Sequence, residues 1–392
     1  MDIISLLEAY KIARKSKART EGNVNFDISF EGLLIKLCDD INSRTFTADK
    51  NYSFIVLEPK PREIFAAEMI LRVVHHWIEE KLRPLVEADL TPSVFNNRKG
   101  YGGEAAIRKV QKDIKDLSKN YTSECWIMKL DIKGFFPNAK WDVAYSRLES
   151  LIQKNYFSSD KDDLLYLVKT CLYSDPARHC ILESSPEMWN KYIEPEKSLF
   201  SKPYGEGGAI GFLIWQLAMT YYPADIDRYI VDNYPDIRYT RFVDDSVFIG
   251  TDKKQMLKLY GILRGMYKNI GCTVNEKKFY FQSYEHGLEF LGSHIKMDRI
   301  YLNNRTIAKA FVSIDNLNKI QDKEDRVIDF LQTVNSYLGM LRNRNSYGAL
   351  LELLRYVDPE WWLYFTVAID KNTKKIKKVV LKDQYKKKRI IV

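Results

Sequence analysis

The chain reads as an α+β protein, with helices packed on one face of an antiparallel sheet. Three observations predict this. Two short runs rich in β-branched and aromatic residues flank a polar break at Asp244 and Asp245, the pattern of a β-hairpin over 237–250. Stretches with apolar residues at helical spacing alternate with further short strand-like runs. Hydrophobic residues make up 45% of the 392, which is ample for burial and excludes a disordered chain. That length exceeds what one compact core usually holds, so two or three domains are expected.

The elements follow in order. Residues 2–16 predict a helix. Ser29 is placed to cap a second helix, whose apolar stripe is Phe30, Leu33, Leu34, Leu37 and Ile41. A strand over 52–57 enters the loop Glu58-Pro59-Lys60-Pro61-Arg62. A helix over 66–83 should stop before Pro84. His75 and His76 lie within it and read as structural, because neighbours at i and i+1 diverge on a helix. A helix over 103–117, a strand over 125–131 and helices from about 138 and 211 come next. The hairpin, a helix over 253–269 and strands near 278–282 and 294–302 follow. Residues 305–369 read as helices. The segment 175–207 carries Pro176, Pro186, Pro195 and Pro203 with few periodic positions, and reads as an irregular insertion. No internal repeat is present.

The formal charge is +9, and it is concentrated. The last 22 residues, from Lys371, hold ten Lys or Arg against one Asp, which leaves the rest of the chain neutral. The body is therefore no general polyanion binder. The tail interleaves Lys374, Lys375, Lys377, Lys378, Lys386, Lys387, Lys388 and Arg389 with β-branched residues. It reads as an arm along a nucleic-acid backbone, with a solvated extension and a docking segment as alternatives. Five cysteines show no metal-ligand spacing and suit a reducing cytoplasm. The start lacks a signal-peptide layout and no apolar run is long enough for a membrane span, so a cytoplasmic protein without membrane contact is expected.

Chemistry enters with the carboxylates. The hairpin brings Asp244 and Asp245 together at its tip, where their repulsion must be offset. A divalent cation such as Mg²⁺ does this well, although an ordinary solvated turn would also use Asp. Upstream, the apolar strand ends at Asp131 and is followed by Lys133-Gly134 and the aromatics Phe135 and Phe136. Asp131, Asp244 and Asp245 together supply the carboxylates that two-metal phosphoryl transfer needs.

Here the chain resembles the reverse transcriptases, with Phe242-Val243-Asp244-Asp245 standing where that family carries an aromatic-x-Asp-Asp box. The resemblance implies a right-hand polymerase: fingers over 1–120, a palm over 121–302 that includes the 175–207 insertion, an α-helical thumb over 303–370 and the basic tail over 371–392. It implies two Mg²⁺ ions, with Mn²⁺ as a substitute, on Asp131, Asp244, Asp245 and the carbonyl of Ile132. Phe136 would be the steric gate against a ribose 2′-hydroxyl. Lys278, in the run Gly271 to Lys278, would protonate the leaving pyrophosphate. Lys60 and Arg62 look like the first fingers motif, and Asn97-Arg98-Lys99-Gly100 like the second, with Arg98 on phosphate. Ile210, Gly211 and Gln216 resemble the loop-to-helix motif at the templating base and nucleotide. Phe290-Leu291-Gly292 resembles the primer grip. The implied partners are an RNA template, dNTPs and the DNA product, with an accessory protein or a second copy as further candidates.

Details narrow the resemblance. Ile210-Gly211 with Gln216, and the stretch Asn335 to Tyr347, are similar to the enzymes of diversity-generating retroelements. Trp215, Phe242 and the long spacing from Asp131 to Gly211 depart from that group and resemble related bacterial enzymes of phage defence. The expectation is therefore a reverse transcriptase copying a dedicated non-coding RNA in defence. An error-prone retroelement enzyme and an untemplated or protein-primed DNA polymerase are the alternatives. An RNA-templated RNA polymerase would share the carboxylates, and Phe136 argues against it. A binding module decayed from a polymerase should not keep all three carboxylates with the gate.

Overall fold

A computed structural model describes residues 1–15, 21–58 and 60–386. Pro59 and residues 387–392, including Lys387, Lys388 and Arg389, lie outside the described residues, as does the side chain of Lys386. The chain divides into two compact units, one of Met1–Ala106 and Met128–Phe281, the other of Ile107–Ile127 and Gln282–Val392.

The chain opens with α1 (Ile3–Arg14), capped by Asp2, whose carboxylate accepts the Ser5 N–H at 2.9 Å. A short α2 (Glu21–Ile28), which periodicity did not signal, precedes α3 (Phe30–Asn42). Ser29 stands at the N-cap of α3, but its side chain makes no capping bond. β1 (Asn51–Val56) and β2 (Arg62–Ala67) form an antiparallel hairpin. The residues before Met69 are thus strand rather than the start of a helix, and Glu63, Phe65 and Ala67 alternate inward.

The next helix, α4 (Met69–Asp89), runs through Pro84 instead of stopping before it. Proline removes one ladder bond. Here buried Ile78, Leu82 and Val86 hold both sides of the break, and Arg83 pairs with Glu87 across it at 3.6 Å. α5 (Gly103–Leu117), β3 (Trp126–Leu130) and β4 (Ile132–Lys133) follow. α6 (Trp141–Asn155) begins after a turn at 134–139 rather than at 138. α7 (Lys161–Leu172) packs beside it.

The 175–207 segment is more ordered than its prolines imply. It contains β5 (Cys180–Leu182), which adds a parallel third strand to β1, and α8 (Pro186–Tyr192). Then come α9 (Leu213–Tyr221), α10 (Ala224–Asn233), β6 (Arg238–Phe242), β7 (Asp245–Gly250), α11 (Lys253–Asn269), β8 (Thr273–Val274) and β9 (Tyr280–Ser283). The central sheet has the order β6-β7-β3-β9, and β4 pairs with β8. Trp77, Trp141, Trp215, Phe212 and Phe248 are fully buried in this unit.

In the other unit, β10 (Leu288–Phe290), β11 (Ser293–Lys296) and β12 (Arg299–Leu302) form an antiparallel meander, so 294–302 is a hairpin and not one strand. α12 (Asn304–Asn318), α13 (Val327–Arg342) and α14 (Tyr347–Tyr356) share a core. Its centre is a stack in which Phe330 lies 4.3 Å from Trp361 and 4.7 Å from Phe365, centroid to centroid. Helix ends there. β13 (Phe365–Ile369) and β14 (Ile376–Leu381) form an antiparallel hairpin, followed by one turn, α15 (Asp383–Lys386). Both backbone groups of Val379 bond the Asn335 side chain, at 2.8 and 2.9 Å. The basic segment is therefore part of the fold up to Leu381, and not a free arm. Among the described residues, no helix is long and apolar enough to cross a membrane.

Candidate active site

Three strands carry the site. β3 alternates, so Lys129 and Asp131 share a side. Ile132 pairs with Val274, which draws the run 275–278 alongside Asp131. There the Asp131 carboxylate accepts from Lys278 Nζ at 2.7 Å and from Asn275 Nδ2 at 3.0 Å, and its carbonyl accepts the Asn275 N–H at 2.8 Å. In the β6–β7 hairpin the last pair is Phe242 with Asp245, so Val243 and Asp244 form a two-residue tip. Lys129 Nζ lies 3.2 Å from Asp245.

The electrostatics bind the carboxylates into one group. Burial, followed by the charges of Asp245 and Asp131, pushes the Asp244 carboxyl up to about 6. Burial lowers the Lys278 ammonium, but its bond to Asp131 and the charges of Asp131, Asp244 and Asp245 outweigh this and raise it. Lys278 therefore keeps its proton at neutral pH.

The donors are carboxylate oxygens with the nearby Ile132 carbonyl, a set that suits a hard divalent cation. The raised Asp244 marks a place short of positive charge. In this arrangement Lys278 and Lys129 supply that charge, and among the described residues no three acidic, His or Cys side chains are grouped to hold one ion. In donor type, though not in their grouping here, these residues suit such a cation.

The expected nucleotide residues are only partly gathered. Phe136 is half-buried, its ring edge-on to Phe135 at 6.1 Å, and its carbonyl accepts the Gly208 N–H at 2.8 Å. Trp215 is wholly buried behind that turn, where a Cβ on Gly208 would lie 2.8 Å from its ring. Ile210 accepts the Phe65 N–H at 2.8 Å. Gly211, at φ +113°, passes so close that a Cβ would sit 2.2 Å from the Phe65 carbonyl, so only glycine fits. These contacts fix the loop to β2, the strand that Arg62 begins. Lys60 and Arg62 are exposed. Arg98 differs from a free phosphate fork: its guanidinium donates to the Thr91, Val94 and Glu87 carbonyls at 2.8, 3.1 and 3.4 Å and lies 4.2 Å over the Tyr101 ring. Gln216 accepts at its carbonyl from Asn97 and Thr220. Phe290, Leu291 and Gly292 belong to the other unit, at the turn from β10 to β11, with Phe290 buried.

Sequence reasoning missed Lys129, Asn275 and the ground beneath the hairpin. Spacing could have found the first two: Lys129 is two residues before Asp131, and Asn275 three before Lys278. No local pattern announces Arg241 and Asp227, a fully buried ion pair at 2.6 Å, joined by the Tyr239 hydroxyl at 2.7 Å from Asp227.

With this geometry in hand, the chain can be assigned. It belongs to the reverse transcriptase (RNA-dependent DNA polymerase) family, whose pattern matches residues 56–295. Among solved structures it is similar to apo telomerase from Candida tropicalis, at 13% identity and a TM-score of 0.49, over 83% of this chain and 61% of that one. A form of that telomerase truncated from its C-terminal domain gives 13% identity and 0.48, over 65% and 55%. Telomerase from Candida albicans in complex with a TWJ fragment of telomeric RNA gives 13% identity and 0.45, over 86% and 60%. This chain thus spans less than two thirds of their length. No curated protein matches it.

Proposed function

We propose that the chain is an RNA-directed DNA polymerase that adds dNTPs to a primer 3′-hydroxyl. The meeting of Asp131 with the Asp244–Asp245 hairpin, in a chain of this family, carries the reading. Asp131, Asp244, Asp245 and the Ile132 carbonyl would hold two Mg²⁺ ions, or Mn²⁺ in their place. When bound, such ions lower the pKa of the attacking hydroxyl and neutralise charge on the triphosphate. Asp131 holds the Lys278 ammonium charged, so Lys278 carries a proton for the pyrophosphate oxygen. Phe136, fixed through its carbonyl to Gly208, presents a ring edge to exclude a 2′-hydroxyl. Residues 1–120, 121–302 and 303–370 act as fingers, palm and thumb, and Phe290, Leu291 and Gly292 hold the primer. Lys60 and Arg62 meet the triphosphate or template.

The biological reading is a cytoplasmic enzyme that copies a dedicated non-coding RNA in phage defence. The test is DNA synthesis by the purified full chain with template, primer, dNTPs and Mg²⁺. Asp244→Ala and Asp245→Ala should each abolish it while the fold persists, since a hairpin tip adds little stability. Near wild-type synthesis by both variants sinks the assignment. Products identify the role: accurate copies of one bound RNA support defence. Errors concentrated opposite adenine, and reduced in Ile210→Gln, support a diversity-generating retroelement. Synthesis without template supports an untemplated polymerase.

A further inference from the structure

We propose that Asn96 and Thr220 are positioning residues, which clamp the catalytic hairpin in a strained turn and tie it to the helix that carries Gln216. The proposal rests on the polymerase reading above and adds residues outside its chemistry.

Val243 has φ +58°. A β-branched side chain avoids this left-handed region, because its Cβ crowds the neighbouring carbonyl. The next residue is Asp244, so any relaxation of Val243 re-aims a metal-ligand candidate. Both backbone polar groups of Val243 are held. Its N–H donates to Asn96 Oδ1 at 3.0 Å, and its carbonyl accepts from Arg241 at 3.2 Å.

The holders are themselves fixed. Asn96 is 2% exposed, and its Nδ2 donates to the Thr220 hydroxyl at 2.8 Å. That hydroxyl, 1% exposed, also accepts from Asn97 at 2.8 Å and donates to the Gln216 carbonyl at 2.8 Å. One donor and two lone pairs are then all used, so the Asn96 amide cannot rotate without breaking the set. Arg241 is anchored by Asp227 and by the Thr220 carbonyl at 2.8 Å. The loop before Asn96 lies along β6, with Arg241 N–H to Ser93 at 2.8 Å and Phe95 N–H to Arg241 at 2.9 Å. The clamp thus joins the hairpin tip to α9 at Thr220, through its hydroxyl by way of Asn96 and through its carbonyl by way of Arg241.

A clamp on strain makes a prediction that a merely structural asparagine does not. Glycine adopts φ +58° freely, so a relaxed residue 243 should need the clamp less. The test is a double-mutant cycle in the full chain, read by single-turnover dNTP addition on a primed RNA template. Asn96→Ala should slow addition by about 10- to 100-fold, the range expected for one buried bond left unmade. KM for dNTP should move far less than kcat. Measured against Val243→Gly alone, adding Asn96→Ala should cost less than about threefold. Equal losses in both backgrounds overturn the proposal. Should Asn96→Ala not fold, Thr220→Val removes the anchoring hydroxyl at near-constant volume and enters the same cycle. Thermal unfolding reads the cycle without activity: the drop in Tm from either variant should shrink in the Val243→Gly background, and an unchanged drop overturns the clamp. A wild-type chain that makes no template-dependent DNA fails the polymerase reading instead, and the unfolding cycle still decides the clamp.

Discussion

Asp244 is the residue at which stability and chemistry pull in opposite directions. Its carboxyl rises from 3.8 to about 6, first through burial and then through Asp245 and Asp131. A folded state that binds this proton more tightly than the unfolded chain is favoured by acid, and the advantage is lost as pH climbs through that interval. In chelator, Asp244→Asn should therefore raise Tm at pH 7.5 and leave it nearly unchanged at pH 4. A domain of this size moves roughly 2–4 °C per kcal/mol, so unfolding scans at the two pH values resolve the difference. Equal shifts would remove the charge argument. Phe136 supplies the second residue-scale prediction. Phe136→Ala should lower the preference for dNTP over rNTP in kcat/KM by at least about tenfold, because a steric clash discriminates more than a missing contact. Retained discrimination would strip the ring of its gate role. At this scale the acidic centre was legible, because Asp131, Asp244, Asp245 and Lys278 each sit in a short distinctive run. Asn96 was not, since its partner Val243 is 147 residues away and no local pattern links them.

At the scale of elements, the 175–207 segment braces β1 and β2. The buried Glu63 carboxylate accepts from Trp189 at 2.7 Å, the Ser198 hydroxyl at 2.6 Å and the Leu199 N–H at 2.8 Å. All three donors come from the segment. At its other end, Lys202 donates to Asn138 at 2.7 Å and the Gly207 N–H to Ala139 at 2.8 Å, beside Phe136. Glu63→Ala leaves three donors without their acceptor and should cost roughly 2–4 kcal/mol. The check is a lower denaturant midpoint at unchanged m-value, and no change would mean that the brace bears no load. Elements with strong periodicity, such as α5 and α11, were read to within a residue or two. β2, β5 and α8 were not, because a brace is recognised by what it touches, and Pro-rich spacing hides short regular pieces. The run through Pro84 was misread for a related reason: packing on both sides outweighs one lost ladder bond.

At the scale of the whole molecule, the positive charge was legible and its form was not. Lys371, Lys374, Lys375, Lys377 and Lys378 are exposed on or beside the hairpin of β13 and β14. Asp370, whose carboxylate accepts the Asn372 and Thr373 N–H groups at 3.0 and 2.8 Å within the turn, offsets only one of these five charges. Replacing these five lysines with glutamine should weaken nucleic-acid binding and flatten its salt dependence, by roughly 0.7 to 0.9 in the log–log slope per lost phosphate contact. An unchanged slope would return the hairpin to a purely structural role.

The assignment of residues 107–127 to the second unit has a consequence for biosynthesis. α5 buries Ile107, Val110 and Ile114, and its unit-mates include Met297, whose carbonyl accepts from Gln111 at 3.2 Å and from the Tyr121 hydroxyl at 2.6 Å. A ribosome releases this helix long before the β10–β12 meander emerges. At roughly 5–20 residues per second, Gln111 and Tyr121 wait on the order of ten seconds for their Met297 acceptor. Through that interval both groups must bond water instead, and any message cut short before residue 297 never supplies the acceptor.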